Sequence, residues 1–312
     1  MSLVQIVRAT GGELYNGGLR ASIPAPGHSR ADRSASLVIG RTGRVVAFSF
    51  GGATAFEILD DLRKRGLIDR AGYPGARGPS ILQPSCPSDG QKRGVAEDLW
   101  SAGVPLPETL SARYLHEYRA IARDLVRIKS VLHNPACRVA AYQRNSRFTR
   151  PALMSRIVTP QGQTTAVELT YLDPTGDRDA KLKLSRKTVG VVPPGSLVQL
   201  DDPAYEMLVA EGVMTALSAS DYFGLPAHAL LGIRNLRAFR PPACVRSILI
   251  AADRGVEGEW AAVALREILV SLGLMATVHL PPERFRDFNQ MAQVMGRRAK
   301  EEGEGRGRVT GR

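Results

Sequence analysis

Five apolar residues without alternation, Ile248-Leu249-Ile250-Ala251-Ala252, end on Asp253, with Gly255 two positions on. Such a run reads as a strand buried on both faces, the pattern of parallel sheets. Parallel strands cannot be joined by tight hairpins, so each needs a crossover, normally a helix. The surrounding sequence supplies that grammar: "EMLVA" as strand, "GVMTALSASDYFG" as helix, "AHALLG" as strand, "LRAF" as a short helical turn, "SILIAA" as strand, "VEGEWAAVALREILVSLG" as helix and "MATVHL" as strand. In the last helix Ala261, Ala262, Leu265, Ile268, Leu269 and Leu272 form an apolar stripe and Gly273 is the expected stop. The fold class expected is α/β, with a C-terminal parallel-sheet βαβ domain over 205–290. Asp253 then stands at the carboxyl end of a strand, the side on which open α/β sheets bind ligands.

Glu211, directly after "LVA", reaches that same edge, and Asp287 in "RFRDFNQ" follows the last strand by a short loop. Carboxylates gathered in this way suit Mg²⁺ or Mn²⁺, hard cations held by a few oxygens, waters and substrate phosphates. The competing reading of Glu211 and Asp253 is that each caps the helix that follows, where the helix dipole favours negative charge. Gly212 and Gly255 stand beside the two acids, where a glycine lets backbone approach a ligand.

The rest of the chain divides by composition. Residues 1–70 read as a small β-rich module closed by one helix, "ATAFEILDDLRKRGLI". Residues 71–94, rich in Pro, Gly and Ser, read as a linker. Over 95–204 a helical part, expected to run to about Leu132, gives way to alternating strands, with Val167, Leu169 and Tyr171 on one face. The stretch 291–312 is charged and Gly-rich and is expected to be a disordered basic tail.

With 42 Lys+Arg against 30 Asp+Glu the formal net charge is +12, which favours polyanionic partners, nucleic acid first. The excess is clustered. Arg113, Arg119, Arg123, Arg127, Lys129, Arg138, Arg144, Arg147 and Arg150 fall within one stretch beside only Glu117 and Asp124, with Tyr114, Tyr118, Tyr142 and Phe148 interleaved. Cations beside aromatics suit single strands, whose bases can stack. A second cluster, Arg178, Lys181, Lys183, Arg186 and Lys187, follows the turn "LDPTGD". A solvated basic face is the alternative for both. Cys86, Cys137 and Cys244 lie far apart with no ligand spacing, so no zinc is expected. No signal-like start and no apolar run of about 18 residues is present, so a cytoplasmic protein with no membrane partner is expected.

The order strand-Glu-Gly, strand-Asp and Asp-x-Asn, carried by "VAEGVMTALSA", "ILIAADRGVEGEWAA" and "RDFNQ", resembles the Toprim domain of primases, topoisomerases and related nucleases. The version it specifically resembles is that of primase-like proteins of phages, plasmids and integrated elements. The resemblance implies Glu211 as catalytic general acid or base, Asp253 as metal ligand, and Asp287 with Asn289 closing the site. One departure stands out: the family commonly has Asp-x-Asp where this chain reads Asp253-Arg254-Gly255. Glu257 is the candidate replacement ligand, with a first-turn helix glutamate as the alternative. Upstream, "GHSRADRSASL" and the strand-strand-helix order resemble the zinc-binding module that precedes Toprim in such primases. Its cysteines are missing, so residues 1–70 are expected to be a degenerate module without metal, His28 serving a turn or the surface.

Three functions follow from that resemblance. The first is primase-like, Mg²⁺-dependent nucleotidyl transfer on single-stranded DNA with nucleoside triphosphates in mobile-element replication, a helicase being encoded separately. The others are a Toprim nuclease or hydrolase, and a noncatalytic DNA-binding accessory protein. The chain contains no GxxxxGK[ST] phosphate loop of its own.

Overall fold

A computed structural model describes residues 3–15, 18–40, 42–49, 52–75, 87–143 and 146–297. The chain forms two compact units, 1–86 and 87–312.

In the first unit a helix α1 (Val4–Thr10) precedes four strands, β1 (Glu13–Tyr15), β2 (Arg20–Ile23), β3 (Ala35–Ile39) and β4 (Val45–Ser49), which pair antiparallel in sequence order. Period-two alternation sends Ala21, Ile23, Ala35, Leu37, Val45 and Ala47 into one core, while Val46 and Phe48 face outward. Helix α2 (Ala55–Lys64) closes that core with Ile58 and Leu62. It starts at Thr54, whose hydroxyl accepts from Glu57 N while the Glu57 carboxylate accepts from Thr54 N, a reciprocal capping box. The "GHSRADRSASL" loop is fastened by a carboxylate. Asp32 accepts from the Ser34 hydroxyl (2.5 Å) and from Ala25 N (3.0 Å), and His28 Nδ1 lies 3.2 Å from it. These donors, Ser34 first, hold the Asp32 carboxyl down at about 2. His28 is thus a partly exposed turn residue.

In the second unit, helix α3 (Asp89–Ser101) begins six residues inside the stretch expected to be linker up to residue 94. The Ser88-x-x-Gln91 capping box nucleates it, with Ser88 N donating to Gln91 Oε1 at 2.8 Å. Residues 76–86 of that stretch lie outside the described residues. A short helix α4 (Leu110–Arg113) widens into a π-helical turn, Tyr114–Tyr118, and a 3-10 turn follows at Leu125–Arg127. Strand β5 (Val131–Arg138) starts within the segment expected to be helical to Leu132. It pairs antiparallel with β6 (Thr149–Val158), β6 with β7 (Thr164–Tyr171), and β7 with β8 (Arg186–Gly190). As the alternation predicts, Val167, Leu169 and Tyr171 share a face, and Ala96 and Leu99 of α3 join their cluster.

The parallel sheet has the order β13-β12-β10-β11-β9, from β9 (Val198–Gln199), β10 (Glu206–Ala210), β11 (Ala227–Ala229), β12 (Ser247–Ala251) and β13 (Met275–His279). The crossovers are α5 (Val213–Phe223), α6 (Ile233–Ala238) and α7 (Val256–Ser271), and a further helix, α8, covers 288–297. Strands β10 and β12 are buried on both faces, as the unbroken apolar run requires. Leu208, Ala210, Leu249 and Ala251 face one cluster; Met207, Val209, Ile248 and Ile250 face another, where Ala261, Ala262, Leu265 and Leu269 of α7 meet them. Leu272, expected in that stripe, is exposed because the helix has ended at its C-cap.

Two boundaries move. The antiparallel strand β9 comes from the 95–204 region yet completes the sheet expected for 205–290. Leu115, Ile121, Leu153 and Ile157 also pack in one cluster with Val213, Ala216 and Leu217, so the two regions share a core. At the other end, α8 occupies residues 291–297 of the expected tail, and 298–312 lie outside the described residues. No helix of the described residues is long and apolar enough to cross a membrane.

One ion-pair network spans this junction. Arg123 donates from Nε to Asp221 Oδ1 (2.8 Å) and from Nη1 to Asp201 (3.0 and 3.1 Å), and also reaches the Ser220 hydroxyl. Its side chain is only 18% exposed. Removing the guanidinium would leave two partly buried carboxylates unpaired. Arg123→Ala is expected to lower the unfolding free energy by about 3 kcal/mol, measured by urea denaturation of the full chain.

Candidate functional site

The parallel register places Ala210 opposite Ala251 on the adjoining strand. Glu211 therefore leaves β10, and Asp253 leaves β12, at one edge of the sheet, from strands about 5 Å apart. Both residues line one narrow cleft of about 10 Å³, room for roughly one water. The β11–α6 loop closes in beside them. Leu231 N donates to Glu211 O (2.8 Å), Leu231 has φ 64°, and a Cβ on Gly232 would lie 3.9 Å from Glu211 Oε1.

Helix capping does not account for either acid. The N-caps are Gly212 for α5 and Gly255 for α7, and neither helix has a side-chain cap hydrogen bond. Asp253 instead accepts a long contact from the Thr215 hydroxyl, 3.4 Å, on the first turn of α5. Burial, then the charges of Asp287 and Glu211, push its carboxyl up to about 6. The charges of the other two acids of the sequence reading thus reach Asp253.

Their character fits a divalent cation, because mutual repulsion raises an acid that a cation would lower again. Among the described residues, however, no three His, Cys, Asp or Glu side chains stand close enough to form a finished ligand set. A bound ion would have to draw the carboxylates inward or reach one through water, as Mg²⁺ commonly does. Asp287 is also engaged as a helix cap, its Oδ1 accepting from Gln290 N at 2.6 Å. Glu257 is exposed in the first turn of α7.

The glycines differ in what they require. Gly212 has φ −101°, and a Cβ there would meet nothing nearer than Thr215 Oγ1 at 3.8 Å, so no close approach demands glycine. Gly255 has φ +121°, a conformation that side-chain-bearing residues rarely adopt. It stands where the family's second aspartate would be, and an aspartate there would be strained by that backbone. Gly258, not singled out by the sequence reading, is held by contact: a Cβ would come within 2.6 Å of Asp253 O. Thr215 also went unrecognised; its position one helical turn beyond Glu211 was the available signal.

Asn289 is buried and ties elements together. Its Nδ2 donates to Arg119 O (2.7 Å) and the Ser218 hydroxyl (2.8 Å), and its Oδ1 accepts from Gln293 (2.7 Å).

The basic candidates separate by environment. Arg127, Lys129, Arg147, Lys181 and Lys183 are exposed. Arg113 and Arg186, exposed as well, pair with Glu117 (3.8 Å) and Glu168 (2.8 Å). Two leave the expected nucleic-acid surface. Arg123 is committed to Asp201 and Asp221, and Lys187 turns inward to the Val139 carbonyl and over the Tyr171 ring, where burial lowers its ammonium. Arg119 is half-buried, its Nε without a hydrogen-bond partner. Arg144 lies outside the described residues.

Because the fold favours protonated Asp253, the folded chain binds this proton more tightly than the unfolded one. Its penalty is absent below the ordinary value of 3.8 and complete above about 6, so stability falls as pH rises through that window. Without divalent cations, Asp253→Asn is expected to melt above the wild type at about pH 7.5 and level with it near pH 4. Mg²⁺ should raise the melting temperature of the wild type and not of the variant. Differential scanning calorimetry reads both effects.

Two family models match the chain. Residues 90–200 match a domain of unknown function, DUF7146, and residues 206–298 match the Toprim domain. No curated protein matches the chain. Among solved structures it is similar to the DnaG catalytic core, at 16% identity over 68% of this chain and 78% of that one, TM-score 0.46. It is similar to the zinc-binding and RNA polymerase domains of the Aquifex aeolicus primase, at 14% identity over 97% and 82%, TM-score 0.44. It is also similar to the primase fragment of the bacteriophage T7 primase-helicase protein, at 14% identity over 59% and 71%, TM-score 0.40. The Glu211 and Asp253 edge lies inside residues 206–298, the segment of this chain that is a Toprim domain.

Proposed function

We propose that this protein carries out primase-like, Mg²⁺-dependent nucleotidyl transfer on single-stranded DNA, in the replication of a mobile element. The observation that carries the reading is that Glu211 and Asp253 line one cleft at the carboxyl end of a parallel sheet, where burial, and then the charges of Asp287 and Glu211, raise the Asp253 carboxyl. Acids whose charges meet at one such edge suit a metal and the phosphates it brings.

In the proposed reaction the hydroxyl of a nucleotide or growing primer attacks the α-phosphorus of a nucleoside triphosphate. A P–O bond forms, the bond to pyrophosphate breaks, and Glu211, unencumbered by a capping role, accepts the hydroxyl proton as general base. Asp253 and Asp287 offer oxygens for the cation, and the Thr215 hydroxyl holds the Asp253 rotamer. A bound Mg²⁺ would supply charge neutralisation on the phosphates. The exposed cations Arg113, Arg127, Lys129, Arg147, Lys181, Lys183 and Arg186 would hold the template backbone. The first unit, fastened by Asp32, would be a zinc-free descendant of the primase zinc module. Such a protein would work in the cytoplasm with a separately encoded helicase.

A second reading rests on Gly255. With the second ligand position closed, the domain could serve as a noncatalytic DNA-binding accessory. Glu211→Gln is expected to abolish Mg²⁺-dependent primer synthesis on single-stranded DNA, a loss of at least about 100-fold for a general base, while leaving template binding intact. Primer synthesis undiminished in that variant would refute the assignment. Salt-sensitive DNA binding unaffected by chelator, with no synthesis in the wild type, selects the accessory reading, and Mg²⁺-dependent cleavage without incorporation selects a nuclease.

A further inference from the structure

A cavity of about 500 Å³ opens between the π-helical turn Tyr114–Tyr118, the loop 173–180 and the C-terminal part of α8. It shares no residue with the Glu211 and Asp253 cleft. Its wall brings Arg119, Arg178 and Arg297 together with Tyr114 and Tyr118; of the two carboxylates also in the wall, Glu117 pairs with Arg113 and Asp177 accepts from Arg178 N, so the arginines remain in excess. Three features mark it as a built site. Arg119 stacks over the Tyr114 ring (5.7 Å), yet its buried Nε has no hydrogen-bond partner. Ala120, also in the wall, is held at φ 53°, a conformation costly for a residue with a Cβ. The loop opposite is fixed in place, because Asp173 accepts from Thr175 N, the Thr175 hydroxyl and Asp177 N, and the Tyr118 hydroxyl donates to Thr175 Oγ1 (3.3 Å).

We infer that this cavity binds one nucleotide unit, its phosphate on Arg178 and Arg119 and its base against the half-exposed ring of Tyr118. Arginine donors in a fixed fork match phosphate oxygens, and an aromatic face accepts any base. Helix α8 carries Asp287 at its start and Gly296 in the cavity wall, nine residues on, so the pocket lies about 13 Å along the helix from the acidic edge. The same chemistry is offered by a single DNA strand and by a free nucleotide. The strand source rests on the single-strand reading given above, and the free source does not.

The test uses the full chain in EDTA, so that no metal-mediated contact at the acidic edge contributes. Binding of a fluorescein-labelled ten-residue oligothymidylate is followed by anisotropy, and binding of dTMP by calorimetry. Arg178→Ala and Tyr118→Ala are each expected to weaken oligonucleotide binding about tenfold. Arg266→Ala, which removes an exposed charge from α7, should change it less than about twofold. Thermal melting of all three variants should match the wild type. Competition by dTMP supports the free-nucleotide source, and its failure to compete, with the two pocket variants weakened, supports the strand. Equal losses in the pocket variants and in Arg266→Ala overturn the pocket while leaving single-strand binding standing. If the wild type binds no oligonucleotide, the single-strand reading falls, and the dTMP titration decides alone: heat lost in Arg178→Ala upholds the pocket and no heat in the wild type refutes it.

Discussion

The parallel pairing of β10 with β12 decides where Glu211 and Asp253 stand. Register fixes Ala210 against Ala251, and because all side chains move together when a strand slips, a shift by one residue would turn Glu211 away from the cleft it shares with Asp253. That register is enforced by burial on both faces: Leu208 and Leu249 have one cluster to enter, Met207 and Ile248 another. Hydrophobic packing holds the acids at one edge against their own repulsion. The raised Asp253 carboxyl records its burial first and that opposition second.

Much of this was legible in the sequence because the signals were periodic. An unbroken apolar run can only be a doubly covered strand or a buried helix, and five residues between turn signals settle the matter for Ile248–Ala252. Alternation placed Val167, Leu169 and Tyr171 on one face with equal directness. What escaped was non-periodic. The Ser88 cap lay in a Pro- and Gly-rich stretch whose composition outweighed its four-residue motif, and α8 began before a charged run that hid its apolar contacts. Charge counting was misled for a related reason: Arg123 and Lys187 are basic by composition and internal by contact. No one-dimensional pattern announces that an arginine will find two aspartates remote from it along the chain.

The two units fix their loops by local chemistry of different kinds. In the first, a carboxylate with a hydroxyl, an amide and an imidazole around it organises the loop before β3. In the second, Gly255 adopts a backbone conformation that an aspartate could occupy only under strain. The missing ligand there reflects the path of the main chain as well as the identity of a side chain. Glu257, the candidate replacement, is exposed in the first turn of α7.

The core common to 95–204 and 205–297 bears on how this architecture can be rearranged. Strand β9 and residues such as Leu115, Leu153 and Ile157 cover apolar surface belonging to α5 and to the parallel sheet. A Toprim segment cut loose at residue 205 would present Val213, Ala216 and Leu217 to water and expose the edge of β11 as a sticky seam. In this chain the parallel sheet is therefore not a portable cassette. Gene fusions, splits or transplants that respect its chemistry must carry the preceding hundred or so residues with it as a single inheritance.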